Sequence, residues 1–217
     1  MILAIYGSSG MGKEVCDLAE KYESQKWDKI IFIDDITDSQ TVYGHLTKDY
    51  ASFKNEYTPD DAKFIIAQGE PVFKQLLFER IKKDGYRCTT IIHPDTEISS
   101  TSNIGDGVVI FKGCYVSSEA TIGNNSILLS NTYIAHNVII GDYCQISASV
   151  LTGGFDKIGA LTFIGAGAII KENTEVGRQC IVGQGTIVLN SVADKLVVVG
   201  NPARVIKMNE SGRVFNH

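Results

Sequence analysis

Two segments of the chain hold residues whose types and spacing favour chemistry. His136 lies in the segment NTYIAHNVIIGD, and Asn137 follows it directly. A neutral imidazole can take a proton from an attacking nucleophile near pH 7, a role worth about 10²–10⁴-fold in rate. The second segment, residues 7–13, reads GSSGMGK and follows a short apolar run. Glycines there let backbone N–H groups at the start of a helix approach a phosphate.

The glycine turn fits the first seven positions of the P-loop pattern GxxxxGK, but Glu14 stands where that loop needs Ser or Thr on Mg²⁺. A carboxylate there would face phosphate oxygens, which excludes NTP hydrolysis. A dinucleotide-type turn fits better, because an acidic residue about 20 positions on, here Asp34 or Asp35, can bind a ribose or base. The spacing is GxxGxG rather than GxGxxG, so a mononucleotide or nucleotide sugar fits better than NAD. Glycines that merely allow a tight strand-to-helix turn are the alternative.

The residues around this turn predict a small α/β domain over residues 1–90, a Rossmann-like βαβ unit that binds a nucleotide sugar. Polar residues 36–62 are expected to be rich in loops. The predicted strands cover residues 2–6, 29–33, 64–67 and 88–92, and the predicted helices cover 13–25 and 72–82.

From Ile92 to Val188 the chain repeats every six residues. Sixteen of the seventeen positions in this register are Ile, Leu or Val, with Thr152 as the exception. The residue four positions later is small or β-branched, except at Asp156. This is the hexapeptide pattern of a parallel β-helix, in which three hexads make one coil. Residues 91–217 are therefore predicted to form such a helix with a C-terminal tail.

Both of these registers point inward, which predicts Cys114, Cys144 and Cys180 as core residues. Glycine often follows the large apolar residue, as at Gly141, and is expected to supply the unusual backbone angles of a corner.

His136 lies two residues after an inward position, so its side chain is expected at the surface, with Ser118 and Gly154 one coil away. The two breaks in the pattern, Thr152 and Asp156, fall one coil after His136. Because sequence rules tend to fail at functional sites, this coincidence favours a catalytic His136 over a solvated surface histidine.

Composition excludes several classes of partner. The 217 residues carry a net charge of -5, which gives no reason to expect nucleic acid. The first residues lack the pattern of a secretory signal and no apolar run approaches the length of a membrane span, so we expect a cytoplasmic protein without membrane insertion. The five cysteines are spaced too widely for a CxxC motif, which argues against zinc and disulfides.

The chain resembles the bacterial sugar-nucleotide amino-sugar acetyltransferases and the related sialic acid O-acetyltransferase-like proteins. The segments that carry the resemblance are GSSGMGKEV, IFIDD, IAQGEP, IIHP, NTYIAHNVIIGD and VVVGNPARVIK. The resemblance implies a left-handed β-helix, a homotrimer, acetyl-CoA as co-substrate without a metal, and a nucleotide-linked amino sugar as acceptor. It also implies that His136 is the general base with Asn137 beside it.

The resemblance further assigns two groups of binding residues. It places CoA in a cleft between subunits, against a coil face carrying Gly154, Ala166 and Gln184, with Gly154 near the acyl group. Gln145 stands where a second histidine near the acyl-CoA is usual. Arg204 and Lys207, in the tail, would meet the CoA phosphates. The substrate-binding residues are expected to be Ser9, Gly10, Met11, Gly12, Lys13, Asp34, Asp35 and Gly69.

Three residues depart from the family pattern. Asn137 replaces the usual acidic residue, whose charge would raise the basicity of the histidine. Gln145 replaces a second histidine, and Met11 replaces a histidine in the glycine turn.

Three other functions are alternatives to N-acetylation. A metal-dependent hydratase on the same helix needs three histidines, and His45, His93 and His217 all lie outside the regular coils. A sugar O-acetyltransferase is the nearest enzymatic alternative, and a non-catalytic trimer that binds a nucleotide sugar is the third.

Overall fold

The computed structural model describes residues 1–215 and divides into two compact units. The first unit comprises Met1–Gly69 and Phe73–Ile91. The second comprises Glu70–Val72 and the chain from Ile92 onward. His217 lies outside the described residues.

The first unit is built on a six-stranded sheet with three helices. Its sheet has the order β3-β4-β2-β1-β5-β6, and β1 pairs in parallel with both β2 and β5. The elements are β1 (Ile2–Tyr6), α1 (Gly10–Glu23), β2 (Lys29–Ile33), β3 (Thr41–Val42), β4 (His45–Lys48), α2 (Tyr50–Glu56), β5 (Ala62–Ile66), α3 (Pro71–Lys83) and β6 (Arg87–Cys88).

The segment expected to be loop-rich holds ordered elements instead. Strands β3 and β4 form an antiparallel hairpin, and helix α2 follows. Asp49 caps α2 by accepting a hydrogen bond from the Ser52 N–H, and Tyr50 and Phe53 are buried. The polar composition reflects the exposed faces of short elements. Helix α1 also begins earlier than predicted, at Gly10, inside the glycine turn.

The second unit is a stack of triangular coils. Its strands are β7 (Ile91–Ile92), β8 (Glu97–Ile98), β9 (Asn103–Ile104), β10 (Val109–Ile110), β11 (Tyr115–Val116), β12 (Thr121–Ile122), β13 (Ile127–Leu128), β14 (Tyr133–Ile134), β15 (Ile139–Ile140), β16 (Gln145–Ile146), β17 (Leu151–Thr152), β18 (Lys157–Ile158), β19 (Phe163–Ile164), β20 (Ile169–Ile170), β21 (Glu175–Val176), β22 (Ile181–Val182), β23 (Ile187–Val188), β24 (Leu196–Val199) and β25 (Arg204–Met208).

Every third coil strand joins the same parallel sheet. Sheet I runs from β7 to β22 in steps of three strands and ends with β24 and β25. Sheet II runs from β8 to β23 and sheet III from β9 to β21. One coil is 18 residues, as in the pairing of Tyr115 with Tyr133. The inward apolar residues form one continuous core, which includes Cys114, Cys144 and Cys180 as predicted.

The corner geometry differs from the sequence expectation. The glycines after the apolar residue do not have positive φ; they are present because the next coil leaves no room for a side chain. A Cβ on Gly141 would come within 2.5 Å of the Ala160 nitrogen. The left-handed backbone falls two residues later, at positions such as Glu119, Asn137 and Phe155, whose φ angles are 58°, 59° and 64°.

Candidate active site

His136 lies in the turn from β14 to β15, on the edge where sheet II meets sheet III. We call this line of turns the II–III edge; it holds residues 117–120, 135–138 and 153–156. The His136 imidazole is exposed, as the sequence predicts, and its Nδ1 atom lies 3.0 Å from Asn137 Oδ1. The Asn137 Nδ2 group donates in turn to Glu119 Oε2 at 2.5 Å, one coil earlier. The imidazole is therefore held from its Nδ1 side.

The opposite side of the imidazole lies against Gly154, one coil later. A Cβ atom on residue 154 would be 2.7 Å from Nε2 and 2.6 Å from Cε1, so any larger residue there would displace the imidazole. The Phe155 ring meets the imidazole edge to face, with centroids 5.2 Å apart. Nε2 thus lies beside a residue that has no side chain.

Thr152, one of the two pattern breaks, changes the strand ladder next to His136. Its hydroxyl accepts the Ala135 N–H at 3.0 Å. At the equivalent positions of the neighbouring coils, Ser117 and Gly153 donate to backbone carbonyls instead. The residue before His136 is therefore held by a side chain, which sets the direction in which the turn leaves the sheet.

Asp156, the other break, is fully buried inside the coil. Its Oδ2 accepts the Gly153 N–H at 2.8 Å, and its Oδ1 accepts the Thr174 N–H at 2.9 Å. Burial raises the pKa of the Asp156 carboxyl to about 6, against the lowering effect of these two hydrogen bonds. Asp156 therefore fixes the backbone turn that presents Gly154 to His136.

The residues assigned to CoA by resemblance do not share one edge within the chain. Gly154 is on the II–III edge, whereas Ala166 and Gln184 lie in turns from sheet I to sheet II. The Gly185 N–H donates to the Ala166 carbonyl, which confirms that these two turns stack one coil apart. Gln145 is buried on β16 in sheet I. Arg204 and Lys207 are exposed on β25, after the cis peptide bond at Pro202.

The first unit contains a pocket where β1 meets α1, which we call the β1–α1 pocket. Its volume is about 600 Å³, enough for a nucleotide. Apolar side chains dominate one wall, and Ile36 and Leu76 are largely exposed to the space. It is lined by Tyr6, Gly7, Ser8, Ser9, Ile33, Asp34, Asp35, Ile36, Thr37, Gln68, Phe73, Leu76 and Leu77.

The N-terminus of α1 opens beside this pocket. Ser9 is the N-cap residue, and its side chain makes no capping hydrogen bond, so it does not occupy the N–H groups of the first turn. Gly12 packs against β1: a Cβ there would be 2.0 Å from the Gly7 oxygen. The glycine turn therefore has a structural role at Gly12, while Gly10, with open space around its Cα, is exposed.

Met11 and Lys13 belong to the first turn of α1 but do not line the β1–α1 pocket, and neither does Gly69. The exposed Lys13 has its backbone N–H bonded to the Ser9 carbonyl. Of the predicted substrate residues, the pocket wall brings together Ser9, Asp34 and Asp35.

The two acidic residues of the pocket already have several partners. Asp34 Oδ2 accepts from the Ser8 hydroxyl and N–H, and Oδ1 accepts from the N–H groups of Ile36 and Thr37. Burial would raise the pKa of Asp34, but these hydrogen bonds lower it overall. Asp34 therefore shapes the pocket loop before any ligand is present.

Asp35 is tied to Arg80, which also donates to the Tyr6 hydroxyl at 2.6 Å. Tyr6 donates to Asp35 Oδ2 at 2.7 Å. Burial raises the pKa of Asp35, but hydrogen bonds from Tyr50, Tyr6 and Arg80 lower it overall. Asp35 therefore lines the β1–α1 pocket and also holds Tyr6 and Arg80 together by hydrogen bonds.

Several of these residues are not evident from sequence motifs. Glu119 could have been found by stepping back 18 residues from Asn137, because that step is one coil. The apolar pocket wall, with Phe73 and Leu76 from α3, carries no local signal, since it forms only when α3 packs beside β1.

Residues 1–215 contain one cluster of side chains that could hold a metal ion. Cys16, Glu20 and His45 are the group found there; they lie in the first unit, and His45 is hydrogen-bonded to Glu20 at 2.9 Å. His136 is not part of it. In the same residues, no helix is both long and apolar enough to cross a membrane.

Family models match both the N-terminal sheet and the stacked coils of this chain. Residues 2–81 match the family model of the PglD N-terminal domain, and residues 119–154 match the bacterial transferase hexapeptide model of six repeats. The chain therefore carries a PglD-type N-terminal domain followed by bacterial transferase hexapeptide repeats.

Solved structures agree over nearly the whole chain. The acetyltransferase domain of PglB from Neisseria gonorrhoeae is 26% identical with a TM-score of 0.89, covering 94% of this chain and 99% of its own. WeeI from Acinetobacter baumannii is 29% identical with a TM-score of 0.78, covering 95% and 100%. PerB from Caulobacter crescentus, at 21% identity and a TM-score of 0.83, covers 95% and 98% and shares the fold.

Proposed function

We propose that this protein transfers an acetyl group from acetyl-CoA to the amine of a nucleotide-linked amino sugar, with His136 as general base. The observation that carries this proposal is the placement of the His136 imidazole: Nδ1 is bonded to Asn137, and Nε2 lies against Gly154. An exposed imidazole with one nitrogen fixed and the other beside a residue without a side chain is arranged to accept a proton.

The chemistry follows from this geometry. The sugar amine attacks the thioester carbonyl, forming the C–N bond, and its proton passes to Nε2 of His136. The C–S bond then breaks, and the CoA thiolate takes the proton back from the imidazolium. The products are an amide and CoA with its thiol. No covalent bond to the protein forms, and His136 ends in its starting state.

A solved relative supports acetyl-CoA as the co-substrate. The acetyltransferase domain of PglB has been solved with acetyl coenzyme A, and it is 26% identical to this chain. Here the cofactor would lie along sheet II, with Arg204 and Lys207 offering positive charge to its phosphates. We propose that the transfer needs no metal ion.

The choice of acceptor rests on the β1–α1 pocket. The pocket combines an apolar wall suited to a base with an uncapped helix N-terminus suited to a phosphate. PerB, which has the same fold, was solved with CoA and GDP-perosamine. We therefore propose a nucleotide-linked amino sugar, an activated building block for glycan synthesis.

We also propose that the protein is a homotrimer, with CoA in a cleft between two copies. Ala166 and Gln184 lie across sheet II from His136, so CoA bound by these residues would extend along the outer face of sheet II. The outer face of sheet II is apolar and partly exposed, with Tyr133, Leu151 and Ile169 between 39% and 44% exposed. Such a face is suited to an interface. We propose the cytoplasm as the site of reaction, where both substrates are made.

The test is CoA thiol release with acetyl-CoA and a panel of UDP-, dTDP-, GDP- and CMP-linked amino sugars. Turnover with a base-stable amide product supports the proposal. A base-labile ester would show O-acetylation instead. Sugar binding without thiol release would show a non-catalytic binding protein. Thermal shifts with the same panel identify the nucleotide, because a bound ligand stabilises the folded state.

A further inference from the structure

Three residues form a column along the II–III edge. Glu119, Asn137 and Phe155 occupy the same position in successive coils, and each has the left-handed backbone that turns its coil corner. Because the coils stack in register, the side chains of Asn137 and Phe155 each lie near the neighbouring coil. Phe155 packs on His136, and Glu119 reaches the Asn137 amide.

The chemistry of these groups determines where the proton of His136 sits. A carboxylate only accepts hydrogen bonds, so Glu119 must receive the Asn137 Nδ2 group. The amide oxygen of Asn137 then faces His136 Nδ1, and an amide oxygen also only accepts. The hydrogen on the neutral imidazole must therefore be on Nδ1, which leaves the lone pair on Nε2.

We call the hydrogen-bonded chain from Glu119 through Asn137 to His136 the relay. Backbone hydrogen bonds hold Glu119 and Asn137 in place. The Glu119 N–H donates to Thr101 Oγ1 at 3.1 Å, and the Asn137 N–H donates to the Ser118 carbonyl at 3.0 Å. The backbone of both residues is therefore fixed, and the short side chain of Asn137 has few alternative rotamers.

We infer that Glu119 is a positioning residue for the reaction: through Asn137 it selects the tautomer in which His136 Nε2 accepts the proton of the amine. This inference rests on the proposed function of His136. Without the carboxylate, the Asn137 amide can rotate and present its NH₂ to Nδ1, which favours the tautomer with hydrogen on Nε2. That tautomer cannot act as a base at Nε2.

The relay also explains why an amide follows the histidine. A carboxylate at residue 137 would stand within hydrogen-bond distance of Glu119, and two carboxylates sharing a site resist ionising together. Glu119 and Asn137 therefore act as a pair. Asn137→Asp alone places two acids together, whereas Asn137→Asp combined with Glu119→Gln places one acid directly on Nδ1 and one amide behind it.

The first readout does not depend on turnover. Nitrogen-15 NMR of histidine rings distinguishes the two neutral tautomers, and the His136 signals are those absent from His136→Ala. We expect a protonated Nδ1 in the wild type and a mixture of tautomers in Glu119→Gln. An unchanged tautomer in Glu119→Gln, or a protonated Nε2 in the wild type, would overturn the inference.

The second readout is kinetic. Glu119→Gln should lower kcat by about 10-fold or more with KM changed by less than about 2-fold, because the effect lies in proton transfer. Glu175→Gln, which removes an exposed carboxylate on β21, should match the wild type. The double variant Glu119→Gln with Asn137→Asp should be more active than Asn137→Asp alone; equal or lower activity argues against the pair.

The outcomes separate the two proposals. If the wild type releases no CoA with any acceptor, the proposed function fails, while the NMR readout still decides the tautomer. If the wild type is active and Glu119→Gln matches it in kcat and tautomer, the role of Glu119 fails and the acetyltransferase proposal stands. Circular dichroism of each variant checks that the coils remain folded.

Discussion

The imidazole of His136 lies directly against Gly154, so closely that a Cβ atom on residue 154 would be 2.6 Å from Cε1. This contact joins two successive coils at the site where we propose that the amine attacks the thioester. A methyl group there can be accommodated only if the imidazole turns away from its bond to Asn137.

Gly154→Ala should therefore lower kcat by about 10–100-fold, because a displaced base loses part of its contribution. The fold should tolerate the change, since residue 154 does not have a positive φ. Steady-state kinetics with the double variant His136→Ala/Gly154→Ala provides the control. If the loss of kcat acts through the imidazole, Gly154→Ala should not lower kcat any further in the His136→Ala background. Additive losses would contradict this explanation.

Thr152→Val tests whether the hydroxyl bonded to Ala135 positions the catalytic turn. The Ala135 N–H loses its partner, which should cost about 1–3 kcal/mol of stability and should lower kcat. Thr162→Val is the matched control, because Thr162 is also buried and bonds the Gly177 carbonyl and the Cys180 N–H on another edge. Denaturant unfolding should show comparable losses for both variants, with kcat reduced in Thr152→Val alone. Equal kcat in the two variants would remove this role from Thr152.

The buried Asp156 should make stability depend on pH. Burial raises the pKa of its carboxyl from 3.8 to about 6, so the unfolded chain ionises first as pH rises. The contribution of Asp156 to stability is thus complete below about pH 4 and is lost as pH rises through 6. The comparison is the free energy of unfolding of wild type minus Asp156→Asn, measured from pH 4 to 7. We expect the difference to fall across this range; a constant difference would mean that Asp156 does not titrate there.

Gly10→Asp tests the helix N-terminus as a phosphate site. Gly10 has open space around its Cα and no positive φ, so a side chain fits. A negative charge at this position stabilises the helix but repels a phosphate, so KM for the sugar nucleotide should rise about 10-fold with stability retained. KM for acetyl-CoA should not change. Gly10→Asn provides the same bulk without the charge and should stay near the wild type. Equal KM values in the two variants would place the phosphate elsewhere.

Much of the β-helix could be predicted from the sequence because its core repeats at a fixed interval. The inward residues Ile134 and Cys144 follow directly from the six-residue period, and His136 follows as an exposed position beside them. The cause of the corner glycines was predicted wrongly. Composition cannot distinguish a glycine needed for its backbone angle from one needed for space, as at Gly141.

The site was harder to predict where it depends on contacts between coils or elements. Glu119 meets Asn137 only because the coils stack in register, and the apolar wall of the β1–α1 pocket needs α3 beside β1. Asp34 and Asp35 were predicted as ligand-binding residues from their spacing alone. Their hydrogen bonds within the protein, such as that from Ser8 to Asp34, carry no sequence signal.

The measurement that tests the central claim most directly is kcat for CoA release by wild type and His136→Ala, at saturating acetyl-CoA and nucleotide-linked amino sugar. His45→Ala, which removes a partly exposed imidazole in the first unit, is the control. If His136 is the general base, kcat should fall by about 10²–10⁴-fold in His136→Ala and remain at the wild-type value in His45→Ala. Wild-type turnover in His136→Ala would contradict the account.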